Sequence, residues 1–415
     1  MSLHLKQAMA LAYAERQDRA PAPRLMTGLP PAAELRVSAA QTLLAPYNRW
    51  SFQHLGQLFP TLVVAAGSGP ASTLGAGELD LDSFTFPSLS GLRISLAEHL
   101  DATSTDGFLV LKKGQVLMER YFNHQQPDTR HVMFSVTKSV TGALAEQLIE
   151  QGALDPDALA VQYVPEFKGT AFATATVRQV MDMAISIEYV EHYEDPHSPT
   201  SHLHYTVGLT ATPPGIEKFP SLYDWLLQFK PHGEHGGFFR YVTACTEAMG
   251  WIMERASGRP CAELFTQMWR KLGCERDGFL LADPSGHGVV GFGFNATLRD
   301  MGRFGLMLLN HGQFNGQQVL PALAVNRILQ GNDPAAYATN KEFSEWSPGA
   351  SYKSQWYVFN DQAIMAVGIH GQWVFVDYNA QVVIIKQSSS PEAETVLDMD
   401  TVRLLQSLAA ALADA

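Results

Sequence analysis

Phe134-Ser135-Val136-Thr137-Lys138-Ser139 decides the fold of this 415-residue chain. The run lies between a short apolar hairpin and a helix. Upstream, Asp106-Gly-Phe-Leu-Val-Leu-Lys-Lys-Gly-Gln-Val-Leu-Met-Glu-Arg-Tyr-Phe122 reads as two strands around a Lys-Lys-Gly turn. Downstream, Phe134, Val140, Ala143, Leu144 and Leu148 follow a helical period, and Gly152 ends the run. Ser135 therefore falls in the first turn, where free backbone N–H groups and the helix dipole favour negative charge.

Ser135 and Lys138 stand three apart, so on a helix they share one face and the amine can reach the hydroxyl. A serine hydroxyl is a poor nucleophile until a base takes its proton. A lysine becomes that base when burial or another cation lowers its pKa. The pair implies a covalent acyl-enzyme, and so an amide or ester hydrolase.

Several longer stretches surround the pair: Pro46-Tyr-Asn-Arg-Trp-Ser-Phe-Gln-His-Leu-Gly56, Val180-Met-Asp-Met-Ala-Ile-Ser-Ile187, Ser351-Tyr-Lys-Ser-Gln-Trp356 and Gly368-Ile-His-Gly-Gln372. With the Ser-x-x-Lys run they resemble the serine β-lactamase and penicillin-binding-protein superfamily, class C-like. Within it they resemble the 6-aminohexanoate-dimer hydrolases, from about Pro46 to near the C-terminus. The resemblance implies an α+β, β-lactamase-like fold: an antiparallel sheet flanked by helices, with an inserted, mainly helical domain. It also implies site residues. Tyr241-Val-Thr243 fits the superfamily's second motif, with Tyr241 passing a proton between nucleophile and leaving group. Lys138 as a cation is expected to pull the Tyr241 phenol pKa down. Thr243 is the expected polar contact to substrate.

The third superfamily motif is a Lys-Thr-Gly variant on a strand edging the site. Here the matching strand reads Ala366-Val-Gly-Ile-His-Gly-Gln372, without that lysine. The resemblance places one oxyanion donor at the Ser135 N–H and the other at the Ile369 N–H. His370 is the residue positioned to replace part of the missing positive charge. Tyr193 matches a tyrosine that contacts the scissile amide in the nylon-oligomer branch. Two departures stand nearby. His204 replaces an acidic position and Gly291 an asparagine, so a free ammonium on the substrate is expected to add little affinity.

Composition narrows the class. Hydrophobic content of 46% with 17% charged residues is that of a globular protein. A net charge of −12 disfavours nucleic acid and anionic membranes as partners. Cys245, Cys261 and Cys274 are too few for a disulfide framework and fit a reducing compartment. The first fifteen residues lack the apolar core of a signal peptide, and no apolar run reaches membrane length, so a cytoplasmic location is expected. His192, His197, His202 and His204 cluster in one loop, and His232 and His235 in another. Their spacing matches no zinc pattern, so neither a metal nor a cofactor is expected.

Residues 1–45 read as a helical, Pro-rich extension. Residues 46–150 and 331–415 read as a discontinuous sheet domain, with 151–330 the helical domain between them. Strands are expected at Tyr352–Phe359, Ala363–Gly368, Trp373–Asp377 and Val382–Lys386, and a final helix from Glu394 to Leu412. The expected partner is a small-molecule amide or ester, and a homodimer is left open. The competing readings are a class C-like carboxylesterase or β-lactam hydrolase, and a binding module that keeps the fold without turnover.

Overall fold

An eight-stranded sheet draws its strands from two distant parts of the chain. Their spatial order is Ser351–Lys353, Trp356–Phe359, Ala363–Gly368, Gln372–Asp377, Val382–Ser388, Thr105–Lys112, Gln115–Tyr121 and Gly75–Ala76. The computed structural model that shows this describes residues 3–15, 24–189, 191–192, 195–359 and 362–413. Neighbours run antiparallel except the outermost pair, in which Gly75–Ala76 lies parallel to Gln115–Val116. The antiparallel expectation is corrected there. The close approach depends on the missing side chain, because a Cβ on Gly75 would stand 3.1 Å from the Gly114 carbonyl oxygen.

Two turns set the hairpins. Lys113 and Gly114 both take positive φ, 50° and 81°, the geometry that matches the twist of the flanking strands. The single strand expected at Tyr352–Phe359 is instead a second hairpin, broken by Ser354 (φ 48°) and Gln355 (φ 68°). Neither is glycine, so tertiary bonds hold the turn. The Ser354 N–H donates to Asp182 at 2.9 Å, and the Gln355 side chain donates to the Met181 carbonyl at 2.9 Å and accepts from Thr246 at 2.7 Å.

Thr105–Lys112 and Val382–Ser388 are buried along their whole length, as central strands covered on both faces must be. Leu109, Leu111 and Val383 face the helix Leu298–Leu309. On the other face Lys112 reaches the carbonyls of Ala380 at 2.8 Å and Ala413 at 3.1 Å, at the end of the closing helix Asp398–Leu412. That helix starts later than Glu394, because the Asp398 carboxylate accepts the Thr395 N–H at 2.7 Å and holds the preceding residues in a turn. The first helix, Leu3–Glu15, docks on the same side. Met9 is fully buried, and the Tyr13 hydroxyl lies 2.8 Å from His99 Nδ1 and 2.9 Å from Asp400 Oδ2.

A second, four-stranded sheet joins Thr61–Val64, Gly278–Leu281, Phe294–Ala296 and His131–Val132. It was not legible beforehand, since its strands are two to four residues long. It delivers the chain into the helix Val136–Glu150. The apolar period suggested one buried face for that helix, yet every residue from Val136 to Leu148 is buried. Its polar groups are matched internally: Ser139 to the Gln355 carbonyl (2.6 Å), Thr141 to the Val290 carbonyl (2.9 Å), and Glu146 to Arg178 (2.6 Å), Arg327 (2.5 Å) and Ser354 (2.5 Å). Burial alone pushes the Glu146 carboxyl up, but these partners outweigh it and keep it below its ordinary value. Among the described residues no helix is long and apolar enough to cross a membrane.

Gly142 shows how tightly the helix is seated. A Cβ there would stand 2.0 Å from the Ser354 carbonyl oxygen, which is backbone and cannot step aside alone. Alanine ordinarily favours a helix by up to about 1 kcal/mol over glycine. Here overpacking costs about 1–3 kcal/mol and decides the sign. Gly142→Ala is therefore expected to lower the urea midpoint and to reduce hydrolytic activity together. A midpoint equal to or above wild type would contradict this packing.

Candidate active site

The approach to Ser135 is a bent turn under tension. Strand His131–Val132 ends with the Met133 N–H donating to the Phe294 carbonyl at 2.8 Å. Phe134 then takes φ +41°, a left-handed conformation costing a bulky residue about 1–2 kcal/mol. Packing holds it there. Its ring meets Phe52 edge-on at 4.9 Å and lies 5.5 Å from the His370 ring. Ser135 follows at the helix N-cap position (φ −66°, ψ −10°).

Lys138 projects from the next turn, 1% exposed. Its Nζ donates to Ser135 Oγ at 2.9 Å and to the Gly291 carbonyl at 2.9 Å. Burial lowers the amine to about 8, against the opposing pull of Glu191, Glu247 and Cys245. Glu247, itself pushed up to about 7 by burial, accepts the Gly291 N–H at 2.9 Å and so fixes the carbonyl that faces the amine. A Cβ on Gly291 would stand 2.7 Å from that carboxylate. Glycine replaces the expected asparagine for a steric reason: a side chain at 291 and Glu247 compete for one space.

Tyr241 lies over the same amine, with Nζ 5.2 Å from its ring centroid, and its hydroxyl hydrogen-bonds the Ser135 side chain. The expectation that Lys138 would pull this phenol down is corrected. Burial, then Glu191, push it well above its ordinary value, and the bond to Ser135 only opposes them. The phenol holds its proton and is a donor. Thr243 sits at the start of helix Thr243–Ser257, 5% exposed. Its N–H donates to Glu191 at 2.7 Å and its hydroxyl pairs with Tyr189, so it supports the site from behind and is not part of the cleft lining. Glu191 had no spacing signal that could have marked it.

Opposite Ser135 the strand Ala363–Gly368 turns through Ile369, His370 (φ 59°) and Gly371 (φ 87°) into Gln372. A Cβ on Gly368 would stand 3.0 Å from the Ser135 nitrogen. The strand end and the N-cap are thus in backbone contact, and Ile369 lines the cleft beside Ser135. Gln372 locks the turn by donating to the Ser388 (2.7 Å), His370 (3.2 Å) and Ile369 (3.3 Å) carbonyls. His370 cannot stand in for the missing lysine charge. Burial pushes it down to about 4, its Nδ1 lies 2.8 Å from the Ser390 carbonyl, and its ring packs on Phe52 and Phe134. It ties the Ile369 turn to the Ser135 turn. In one histidine-rich loop the His235 Nδ1 accepts the Ser186 N–H at 2.9 Å, whereas His192 and His204 of the other line a pocket beyond Ile369.

Comparison with known proteins decides the family. The β-lactamase family model matches residues 94–408. The chain belongs to the β-lactamase family. It is 34% identical over 354 residues to a 6-aminohexanoate-dimer hydrolase of Paenarthrobacter ureafaciens, covering 85% of this chain and 88% of that one. A Bacillus anthracis protein provisionally named as a 6-aminohexanoate-dimer hydrolase superposes with a TM-score of 0.82 at 29% identity, covering 91% of this chain and 97% of that one. A family VIII carboxylesterase shares the fold at a TM-score of 0.54 and 15% identity, over 74% of this chain and 92% of that one. This chain is a hydrolase of β-lactamase fold.

The charged groups of the cleft are all acidic. Ser135, Tyr241, Gly368 and Ile369 open into a cleft of about 430 Å³ with an apolar lining. Its charged lining residues are Glu342, Glu345, Glu394 and Asp398. Beyond Ile369 a second lobe of about 670 Å³ carries Glu191, His204 and His370. Among the described residues neither lobe is lined by a lysine or arginine. His204 is buried and pushed down to about 4 by burial, His370 and Lys138. The acidic groups of the first lobe thus come from elements other than the loop that carries His204, while Glu191 of that loop lines the second lobe. Glu394 rises to about 7 through desolvation in the cleft, then Glu342, Asp398 and Glu191, although its exposed edge screens part of this. Tyr193 lies outside the described residues.

The amine's position fixes a pH dependence. A base works when neutral, and the neutral fraction of Lys138 grows as pH rises through about 8. On a p-nitrophenyl ester, kcat/KM is expected to climb about tenfold per pH unit below that value and to level above it. Lys138→Arg should abolish the climb and cost at least about 10³-fold, because a guanidinium does not deprotonate. Substantial turnover by folded Lys138→Arg would place the base elsewhere.

Proposed function

We propose that this hydrolase cleaves linear amides or esters through an acyl-enzyme on Ser135. One observation carries the reading: a buried amine whose pKa is lowered to about 8 stands 2.9 Å from the Ser135 hydroxyl at a helix N-terminus. Lys138 takes the hydroxyl proton as Oγ attacks the carbonyl carbon. The N–H groups of Ser135 and Ile369 hold the developing oxyanion. The tetrahedral adduct collapses as Tyr241, whose phenol is protonated, gives its proton to the leaving oxygen or nitrogen and regains one from Lys138. Water then adds to the acyl carbon along the reverse proton path, releasing the acid and free Ser135.

The charge of the cleft refines the substrate. A carboxylate near the scissile bond meets no cation, which disfavours β-lactams. A cationic or neutral chain fits the apolar, acid-rimmed lobe. The relatives named for the 6-aminohexanoate dimer support an amide substrate, and Tyr193 is the proposed donor to the amide nitrogen. Tyr193→Phe should then reduce kcat/KM for a linear amide about 10- to 1,000-fold more than for the matched ester. Equal losses would leave a carboxylesterase.

Two measurements test the rest. Ser135→Ala should lose several orders of magnitude on p-nitrophenyl acetate and fail to gain mass with a fluorophosphonate. Wild-type turnover by the folded variant would end the acyl-enzyme reading. Next, two esters differing only by a terminal ammonium can be compared across pH. Glu394 gains its charge as pH rises through about 7, so preference for the ammonium ester should grow from pH 6 to 8, and Glu394→Gln should lower it about 2- to 5-fold. The shared Lys138 titration cancels in that ratio. A pH-independent ratio would remove the carboxylate rim from recognition.

A further inference from the structure

Leu5 lines the same cleft as Ser135. It comes from the first helix, outside the residues 94–408 that match the β-lactamase family. We propose that this helix is a specificity element, with Leu5 forming a wall of the 430 Å³ lobe that limits the length of the apolar chain bound beside Ser135. The proposal deepens the hydrolase reading above and rests on it.

The helix presents one inward stripe, Leu5, Met9, Ala12 and Tyr13, at the spacing of a single helical face. Its opposite side faces solvent, with Leu3 74% and Leu11 57% exposed. Thirteen residues make a marginal helix in isolation, so docking holds it. The anchor is Tyr13, bonded to His99 and Asp400, about 12 Å along the axis from Leu5. Asp400 is itself fixed by the Ser88 hydroxyl at 2.6 Å and the Leu89 N–H at 2.8 Å. Asp398 and Met399, immediately before it, line the cleft. Helix, anchor and lining therefore form one mechanical unit. Leu5 lines the cleft together with Met399, Trp373 and Phe343, the apolar side chains that an alkyl chain would meet.

The test is a series of p-nitrophenyl esters, acetate, octanoate and dodecanoate, with the full-length chain. Leu5→Trp should fill the lobe and lower the octanoate-to-acetate ratio of kcat/KM about tenfold or more. Leu5→Ala should open it and raise the dodecanoate-to-octanoate ratio severalfold. Leu11→Trp, on the exposed face of the same helix, should change neither ratio. Tyr13→Phe, which loosens the anchor, should raise KM for octanoate more than for acetate. Unchanged ratios in Leu5→Ala, or equal changes for all esters in both Leu5 variants, overturn the wall. If the tryptophan variant does not fold, the alanine variant decides alone. Failure of the nucleophile reading looks different, with wild-type turnover in Ser135→Ala whatever happens at Leu5.

Discussion

A primary amine kept from water is the constraint on which the site depends. Lowering Lys138 from 10.5 to about 8 means that burial disfavours its charged form by roughly 3 kcal/mol net. The surroundings must enforce that while still satisfying the nitrogen. Ser135 Oγ and the Gly291 carbonyl supply acceptors without charge, and Glu191 and Glu247 stand close enough to limit the shift. Burial without them would leave a stronger bias to the neutral amine. The carboxylates without burial would leave a permanent cation. The helix Val136–Glu150 is enclosed on every side because its inner residue must be dry, and its polar side chains are consequently paired with neighbouring backbone.

The phenol and the amine share that environment and respond in opposite directions. Burial penalises charge on either, so it lowers Lys138 and raises Tyr241. The amine gives up its proton as pH rises through about 8 while the phenol keeps its own well above that, which separates acceptor from donor around a single hydroxyl. Reasoning from sequence weighed the charge of Lys138 on Tyr241 but not the burial of the phenol, and so reached the wrong sign for the phenol.

What sequence could reveal was local. Ser135 and Lys138 are three residues apart on one helix, and helical spacing alone brings them together. The strand Ala363–Gly368 and the Lys113–Gly114 turn were also readable, since strand propensity and a glycine act over a few residues. Stretches that carried the family resemblance proved largely structural. Asn48 binds the Ser390 carbonyl at 2.8 Å, Phe52 props Phe134, and Gln355 fastens Met181 to Thr246. Glu191, Glu247 and Leu5 were not readable as site residues. Each reaches the site from a different segment, and no spacing in the chain encodes that meeting. The Ser354–Gln355 turn escaped notice because it lacks glycine and is held only by distant side chains.

The acid rim shows how this chain departs from a cleft built for anions. The strand Ala363–Gly368 and the turn after it carry no lysine, and burial lowers both His204 and His370 to about 4. A buried amine close to the rim is Lys386, beneath Gly371 and attracted by Asp398. Burial lowers it to about 7, and its amine donates to Ser388 at 2.5 Å. Its charge favours the ionised form of Asp398 against burial. Lys386 is not among the residues that line either lobe, so it offers a substrate carboxylate no partner. The same first turn of the closing helix carries Asp398 toward Lys386 and Asp400 toward Tyr13, so the field of the rim and the seat of the N-terminal helix are set by one element.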